Sequence, residues 1–351
     1  MATVNVVYQM YRELSPAERK VFARLVYGRK VLDSVDIPGA GDIDSFLTEL
    51  RFGGKIPCCV HCGSESVKRN GHKDGKQRYL CKDCGKTFGA STGTVFRSAK
   101  KPLSTYLQYV HCMMRGMFVR ETAGSCGMGV ANAFYMRHKI LDALQSMQDS
   151  VTLDGVAQAD GTFFAISFKG NHSRSVRFTL PRMPHRRGTP ASKRGLSSEK
   201  VCVECAVNGS GLSIASITNL GKASCADISR LLDGRISEGS VLCTDKNSAY
   251  VDFADRNGLE LVQIDSGKHV KGAFNIQRVN SYHSRLKKFI GHFTGVATKY
   301  LNNYLVWFNL THIAEGDDDF LEKVWQRHNA RARYSGTKRS YMLRPAIPVA
   351  A

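Results

Sequence analysis

The sequence predicts an α/β protein, a mixed sheet flanked by helices and preceded by a four-cysteine metal-binding unit and a helical segment. Three observations predict it. Strand-like apolar runs alternate with amphipathic helical ones from residue 151 to about 310. Two closely spaced cysteine pairs lie upstream at the spacing of a zinc site. Between that unit and the core runs a helix, a glycine-containing turn and a second helix. The 351 residues divide into an N-terminal helical segment (1–54), a zinc ribbon (55–98), a helix-turn-helix segment (99–150), a core (151–315) with a basic insertion (169–200), and a tail (316–351).

The elements follow in order. Ser15-Pro16-Ala17-Glu18 has capping-box form, with Pro at the first helical position, and Val21 to Tyr27 supply an apolar face. Pro38, Gly39 and Gly41 make a loop of residues 36–42, and a short helix follows from about Asp44 to Leu50. Cys59-Val60-His61-Cys62 and Cys81-Lys82-Asp83-Cys84 form C-x2-C-x18-C-x2-C, the pattern of a four-cysteine Zn²⁺ site. Gly63 and Gly85 follow the pairs and permit a tight backbone, and Gln77 to Leu80 make a strand into the second pair. Cys58 competes with Cys59 at a worse spacing, while His61 and His72 read as surface residues. Cys202-Val203-Glu204-Cys205 repeats C-x2-C inside a strand pattern without a second pair, and reads as core.

Leu103 to Met117 is amphipathic. From Arg120 a second helix, a turn at Gly124 to Gly129 and a third helix reaching about Leu144 are expected. Polar positions of that third helix, Asn132, Arg137, His138 and Lys139, could face a major groove. The core opens with a strand from Val156 to Ile166. Lys169 to Lys200 follows, a polar stretch with nine Lys/Arg and one acid, in which Arg186, Arg187, Lys193 and Arg194 could grip phosphate. Strands from Val201 to Val207 and Leu212 to Thr218, a helix from Ser224 to Leu232, and strands from Val241 to Asp245 and Glu260 to Ile264 come next. Asn280 opens the last amphipathic helix, whose buried face is Tyr282, Leu286, Phe289, Ile290 and Phe293.

This order brings three polar residues, Asp160, Asp245 and Asn280, toward one point. Two carboxylates and a third oxygen donor suit hard cations such as Mg²⁺ or Mn²⁺, and a pair of such ions can clamp the attacking and leaving oxygens of a phosphodiester. A strand-end carboxylate with local hydrogen bonds is the alternative for each Asp, and a helix N-cap for Asn280. His283 and Lys287 continue the Asn280 flank at one-turn intervals. His283 could ligate metal, contact phosphate, move a proton or simply pack, and Lys287 could neutralise phosphate.

Composition points to the same partner. Fifty Lys+Arg against thirty Asp+Glu give a formal charge of +20, which favours a polyanion, and nucleic acid is the usual one. Eleven cysteines are too sparse for a disulfide scaffold and suit a reducing compartment with one metal site. Met1 to Tyr11 shows no signal pattern, and no apolar run approaches the roughly 20 residues of a membrane span. A cytoplasmic, nucleoid-associated protein without membrane contact is expected.

The element order is that of a ribonuclease-H-like fold. With Gln158 to Phe164, Thr244 to Tyr250 and Val279 to Ser284, the chain resembles DDE-type insertion-sequence transposases, above all the family numbered 1595, over about residues 55–310. The resemblance implies Asp160, Asp245, Asn280 and His283 as catalytic residues, with two Mg²⁺ or Mn²⁺ ions held by Asp160, Asp245 and Asn280 and a structural Zn²⁺ held by Cys59, Cys62, Cys81 and Cys84. It implies double-stranded DNA partners, transposon ends and target, and a homodimer or higher assembly on DNA. It further implies cleavage of a strand at the transposon end and attack of the freed 3′ hydroxyl on target DNA. The third segment departs from the family, reading Asn280-Ser281-Tyr282-His283 where Glu is usual. A catalytically inactive DNA-binding regulator is the alternative, and a structure-specific nuclease a third reading.

Overall fold

The computed structural model describes residues 43–53, 55–170, 200–265, 267–268, 270–312, 325, 328 and 332–348. The expectations for residues 1–42, for Arg186, Arg187, Lys193 and Arg194 in the basic insertion, and for most of the tail lie outside these residues. The described residues group into two compact units, meeting in sequence at residues 147 and 148.

In the upstream unit, α1 (Ile43–Phe52) precedes a three-stranded antiparallel sheet of β1 (Val67–Lys73), β2 (Lys76–Cys81) and β3 (Thr87–Phe88). Asp74 and Gly75, at φ 53° and 76°, make the two-residue turn between β1 and β2. The small core is Cys59, Tyr79, Cys81 and Phe88, with Phe52 of α1 edge-on to Tyr79. Three helices follow: α2 (Leu103–Met114), α3 (Val119–Ser125) and α4 (Val130–Asp149). Glu121 caps α3 by accepting from the Phe118 amide at 2.9 Å, and Gly127, at φ 56°, lies between α3 and α4.

The downstream unit is a five-stranded mixed sheet of order β6-β5-β4-β7-β8. β4 (Val156–Ala165), β5 (Lys200–Asn208) and β6 (Ser213–Leu220) pair antiparallel, whereas β7 (Val241–Thr244) and β8 (Glu260–Gln263) run parallel to β4. The parallel pairings need crossovers, and α5 (Cys225–Leu232) and α6 (Ala249–Asn257) provide them. Ser224 and Asp227 form a reciprocal capping box at the start of α5. A short hairpin, β9 (Val270–Lys271) with β10 (Phe274–Asn275), leads into α7 (Gln277–His292), and α8 (Leu301–His312) and α9 (Lys338–Met342) complete the unit. β5 is buried along nearly its whole length, as expected of a strand covered on both faces. On one face Tyr250 of α6 meets Glu204 of β5; on the other, Tyr282 of α7 approaches Cys205. Among the described residues no helix is long and apolar enough to cross a membrane.

Candidate functional site

In the downstream unit the sheet register assembles a polar cluster. Ala159 of β4 pairs with Thr244 of β7, so Asp160 and Asp245 follow at the same level, at the end of β7. Asp160 Oδ1 accepts from the Gly161 amide at 2.8 Å, and Asp245 Oδ1 from the Asn247 amide at 3.1 Å. Each carboxylate is thus oriented by local backbone. Burial and then the Asp245 charge push the Asp160 carboxyl up to about 6, against the Gly161 amide and the Lys287 ammonium. Two acids that repel each other in a half-desolvated setting gain from a cation between them.

Helix α7 supplies the rest. Its buried face is Val279, Tyr282, His283, Leu286 and Ile290, and Phe293 beyond it is also buried, whereas Phe289 is half-buried. Tyr282 donates to Asn309 Oδ1 at 2.6 Å, which fixes the helix against α8. His283 Nδ1 lies 3.8 Å from Asp160 Oδ2. Burial and then the Lys287 charge drive the imidazole down to about 4, opposed by a hydrogen bond to the Asp160 backbone. At neutral pH His283 is therefore neutral, and its approach to Asp160 is no ion pair. Its Nε2 is buried without a hydrogen-bond partner among the described residues. Asn280 is half-buried and Lys287 exposed. Asn280 is not the helix N-cap: α7 begins at Gln277, and the Asn280 amide already donates to Ile276 O at 3.2 Å.

A third carboxyl lies behind the pair. Glu204 of β5 faces away from Asp160, pairs with Gly161 and receives the Tyr250 hydroxyl. Burial pushes it up to about 8, the Tyr250 hydrogen bond acts against that, and the charges of Asp160 and Asp245 add to it. Gly161 has no side chain for a steric reason: a Cβ there would lie 3.2 Å from Glu204 Oε2 and 3.3 Å from Cys202 Sγ. The sequence signal for Glu204 is a lone acid in an otherwise apolar strand. The Lys169 ammonium donates to the carbonyls of Thr294 and Gly295, both at 3.0 Å, in the turn that follows α7.

In the upstream unit Cys59, Cys62, Cys81 and Cys84 bring their sulfurs within 4.8 Å of one another. The Cys59–Cys84 and Cys62–Cys81 separations are 3.7 and 3.6 Å. A tetrahedral Zn²⁺ with sulfurs at its usual bond length needs about 3.8 Å between sulfurs. The Gly63 and Gly85 amides close each knuckle onto Cys59 O and Cys81 O at 2.8 and 3.1 Å. The Cys84 amide leads the backbone donors that bring the Cys81 thiol down to about 6, despite burial. The donor set fits a structural zinc ion. Cys58 is exposed and outside the cluster, and Cys202 and Cys205 are buried in β5. Among the described residues this is the one set of three or more His, Cys, Asp or Glu ligands close enough to share an ion.

The expected groove-facing residues of α4 are placed differently. Arg137 and His138 are fully buried, and the Arg137 guanidinium donates to Met117 O at 2.6 Å. Lys139 is partly covered, 5.6 Å above the Tyr334 ring. Helical spacing alone does not reveal these partners, Met117 and Thr122 for Arg137 and Arg97 and Tyr334 for Lys139; the exposed positions in the first turn of α4 are Val130, Ala131 and Asn132.

Residues 152–309 match the family of ISXO2-like transposase domains. An uncharacterized protein in transposable element ISH50 of Halobacterium salinarum is 27% identical over 273 residues, covering 76% of this chain and 88% of that protein. A crystal structure of a pre-cleavage Mos1 transpososome aligns at 7% identity and a TM-score of 0.20, over 63% of this chain and 76% of that one, a likeness too low to bear on the fold.

Proposed function

We propose that this chain, whose residues 152–309 match the ISXO2-like transposase domain, is a transposase that binds the inverted repeats at transposon ends, cleaves a DNA strand there and transfers the freed 3′ end to target DNA. The observation that carries the reading is the adjacency of Asp160 and Asp245, with burial and then the Asp245 charge pushing Asp160 up to about 6. The strand order, three antiparallel strands continued by two parallel ones with helices on both faces, supports a ribonuclease-H-like core.

Asp160 and Asp245 would hold the divalent cations, and Asn280 would add a carbonyl oxygen. Such ions supply Lewis-acid polarisation of the scissile phosphate and a more acidic attacking water. Magnesium is commonly held by one or two carboxylates with waters and substrate phosphate filling the remaining positions, which two Asp residues without a third carboxylate can satisfy. His283, neutral at physiological pH, can accept a proton beside Asp160 or pack as the wall that orients it. Lys287, exposed one turn further, would neutralise phosphate. The zinc ribbon and the exposed start of α4 would read the terminal repeat, with Asn132 the polar candidate for a base edge.

Purified protein with a labelled end duplex and Mg²⁺ or Mn²⁺ tests this. Nicking at the transposon end, followed by joining to a target duplex and lost in Asp160→Ala and Asp245→Ala with end binding retained, is the expected result. Binding without nicking in either metal sinks the enzyme reading and favours the regulator, which the missing third carboxylate also supports. Nicking without joining favours the nuclease.

A further inference from the structure

We propose that Gln158 is a positioning residue that sets helix α7, and with it Asn280 and His283, against Asp160. The proposal rests on the transposase reading above. Gln158 lies on β4, two residues before Asp160 and on the same side of the strand, and is 1% exposed. Its Oε1 accepts from the Arg278 and Val279 amides at 2.9 and 3.1 Å. Its Nε2 donates to Asn275 Oδ1 at 3.2 Å, and that oxygen also accepts from the Gln277 amide at 3.1 Å. The Asn280 amide reaches Ile276 O.

Three of the amides that a helix leaves without internal partners, those of Gln277, Arg278 and Val279, are thereby served at α7, and the Asn280 amide makes the first internal bond. The N-cap residue itself, Ile276, has no side chain able to serve them. The cap comes instead from the catalytic strand, across 120 residues of sequence. One side chain therefore joins the backbone of β4 to the first turn of α7, with Asp160 one pleat along in one direction and Asn280 and His283 within the next turn in the other. Lys169, four residues beyond the end of β4, holds the turn that follows the opposite end of the same helix. The helix is fixed by the strand that carries the first catalytic carboxylate, and its rotation and rise set the distance of Asn280 and His283 from Asp160. Misplacement of a reacting group by about 1 Å can reduce a rate about a hundredfold.

The test compares wild type, Gln158→Met and Gln158→Glu with an end duplex. Methionine keeps the volume and loses both hydrogen-bonding roles; glutamate keeps an acceptor for the two amides. Gln158→Met should lower the cleavage rate at saturating duplex by about tenfold or more per folded molecule, with the Kd for the duplex within about twofold of wild type. Gln158→Glu should recover most of the rate. Hydrogen exchange of the peptide covering residues 276–282 should speed up in Gln158→Met and not in Gln158→Glu. Wild-type cleavage and wild-type exchange in Gln158→Met overturn the proposal, as does a loss of rate that merely tracks the unfolded fraction. If Gln158→Met does not fold, Asn275→Ala, which strips one cap acceptor and the partner that orients Gln158, takes its place; unchanged rate and exchange there also overturn it. A wild-type protein that cuts no DNA refutes the transposase reading instead, and exchange at residues 276–282 then decides the cap alone.

Discussion

The Tyr250 hydroxyl donates to the Glu204 carboxyl on the far side of the sheet from Asp160, in the space that Gly161 leaves open. This pair ties α6, which follows Asp245, to the strand beside Asp160.

Glu204 is neutral at physiological pH, so Glu204→Gln should fold and cleave nearly as wild type. Glu204→Ala leaves the buried Tyr250 hydroxyl without its partner, a loss of about 1–3 kcal/mol before the cavity is counted. The sign with pH is set by a folded-state value of about 8 against an ordinary 4.5. The contribution is fully present below 4.5 and is lost as pH rises through 8. Thermal melts between about pH 6 and 9 should therefore fall more steeply for wild type than for Glu204→Gln. Parallel curves would contradict this.

Asp160 has the same sign at a lower pH. Its folded value of about 6 exceeds the ordinary 3.8, so its ionisation opposes folding at neutral pH in metal-free protein. Asp160→Asn should raise the metal-free Tm by roughly 2–8 °C near neutral pH. The gain should shrink as pH drops through 6 and vanish below about 3.8. Mg²⁺ should raise the Tm of wild type at neutral pH and leave that of Asp160→Asn unchanged.

The sulfur geometry of Cys59, Cys62, Cys81 and Cys84 predicts one zinc per chain by elemental analysis. Substituting any one with Ser should release the metal and unfold β1 to β3, because the core there is only a handful of side chains. Cys58→Ser should retain it.

Arg137→Met should lower stability through loss of the buried bond to Met117 O rather than change DNA sequence preference. Asn132→Ala should do the reverse, leaving Tm alone and altering end-duplex affinity. Melts and binding isotherms on both variants separate the two roles.

The five strands of the core sheet and helix α5 are legible because apolar runs and breakers have local causes: β4 to β8 and α5 lie within two residues of where periodicity places them, whereas α6 and α8 have no such reading. The cysteine set was legible for the same reason, since knuckle spacing is a local constraint. What was not legible depends on pairing at long range. The start of α7 was set three residues late because Gln158, its cap, is far away in sequence. Arg137 looked like a groove contact because helical spacing does not reveal which neighbouring helix covers it.

The adjacency of Asp160 and Asp245 is tested most directly by calorimetric titration of Mn²⁺ into zinc-loaded wild type, Asp160→Asn and Asp245→Asn at neutral pH. A single shared site predicts saturable binding in wild type, weakened by about tenfold or more in each variant. Equal binding in all three proteins, or none in any with DNA present, would contradict it.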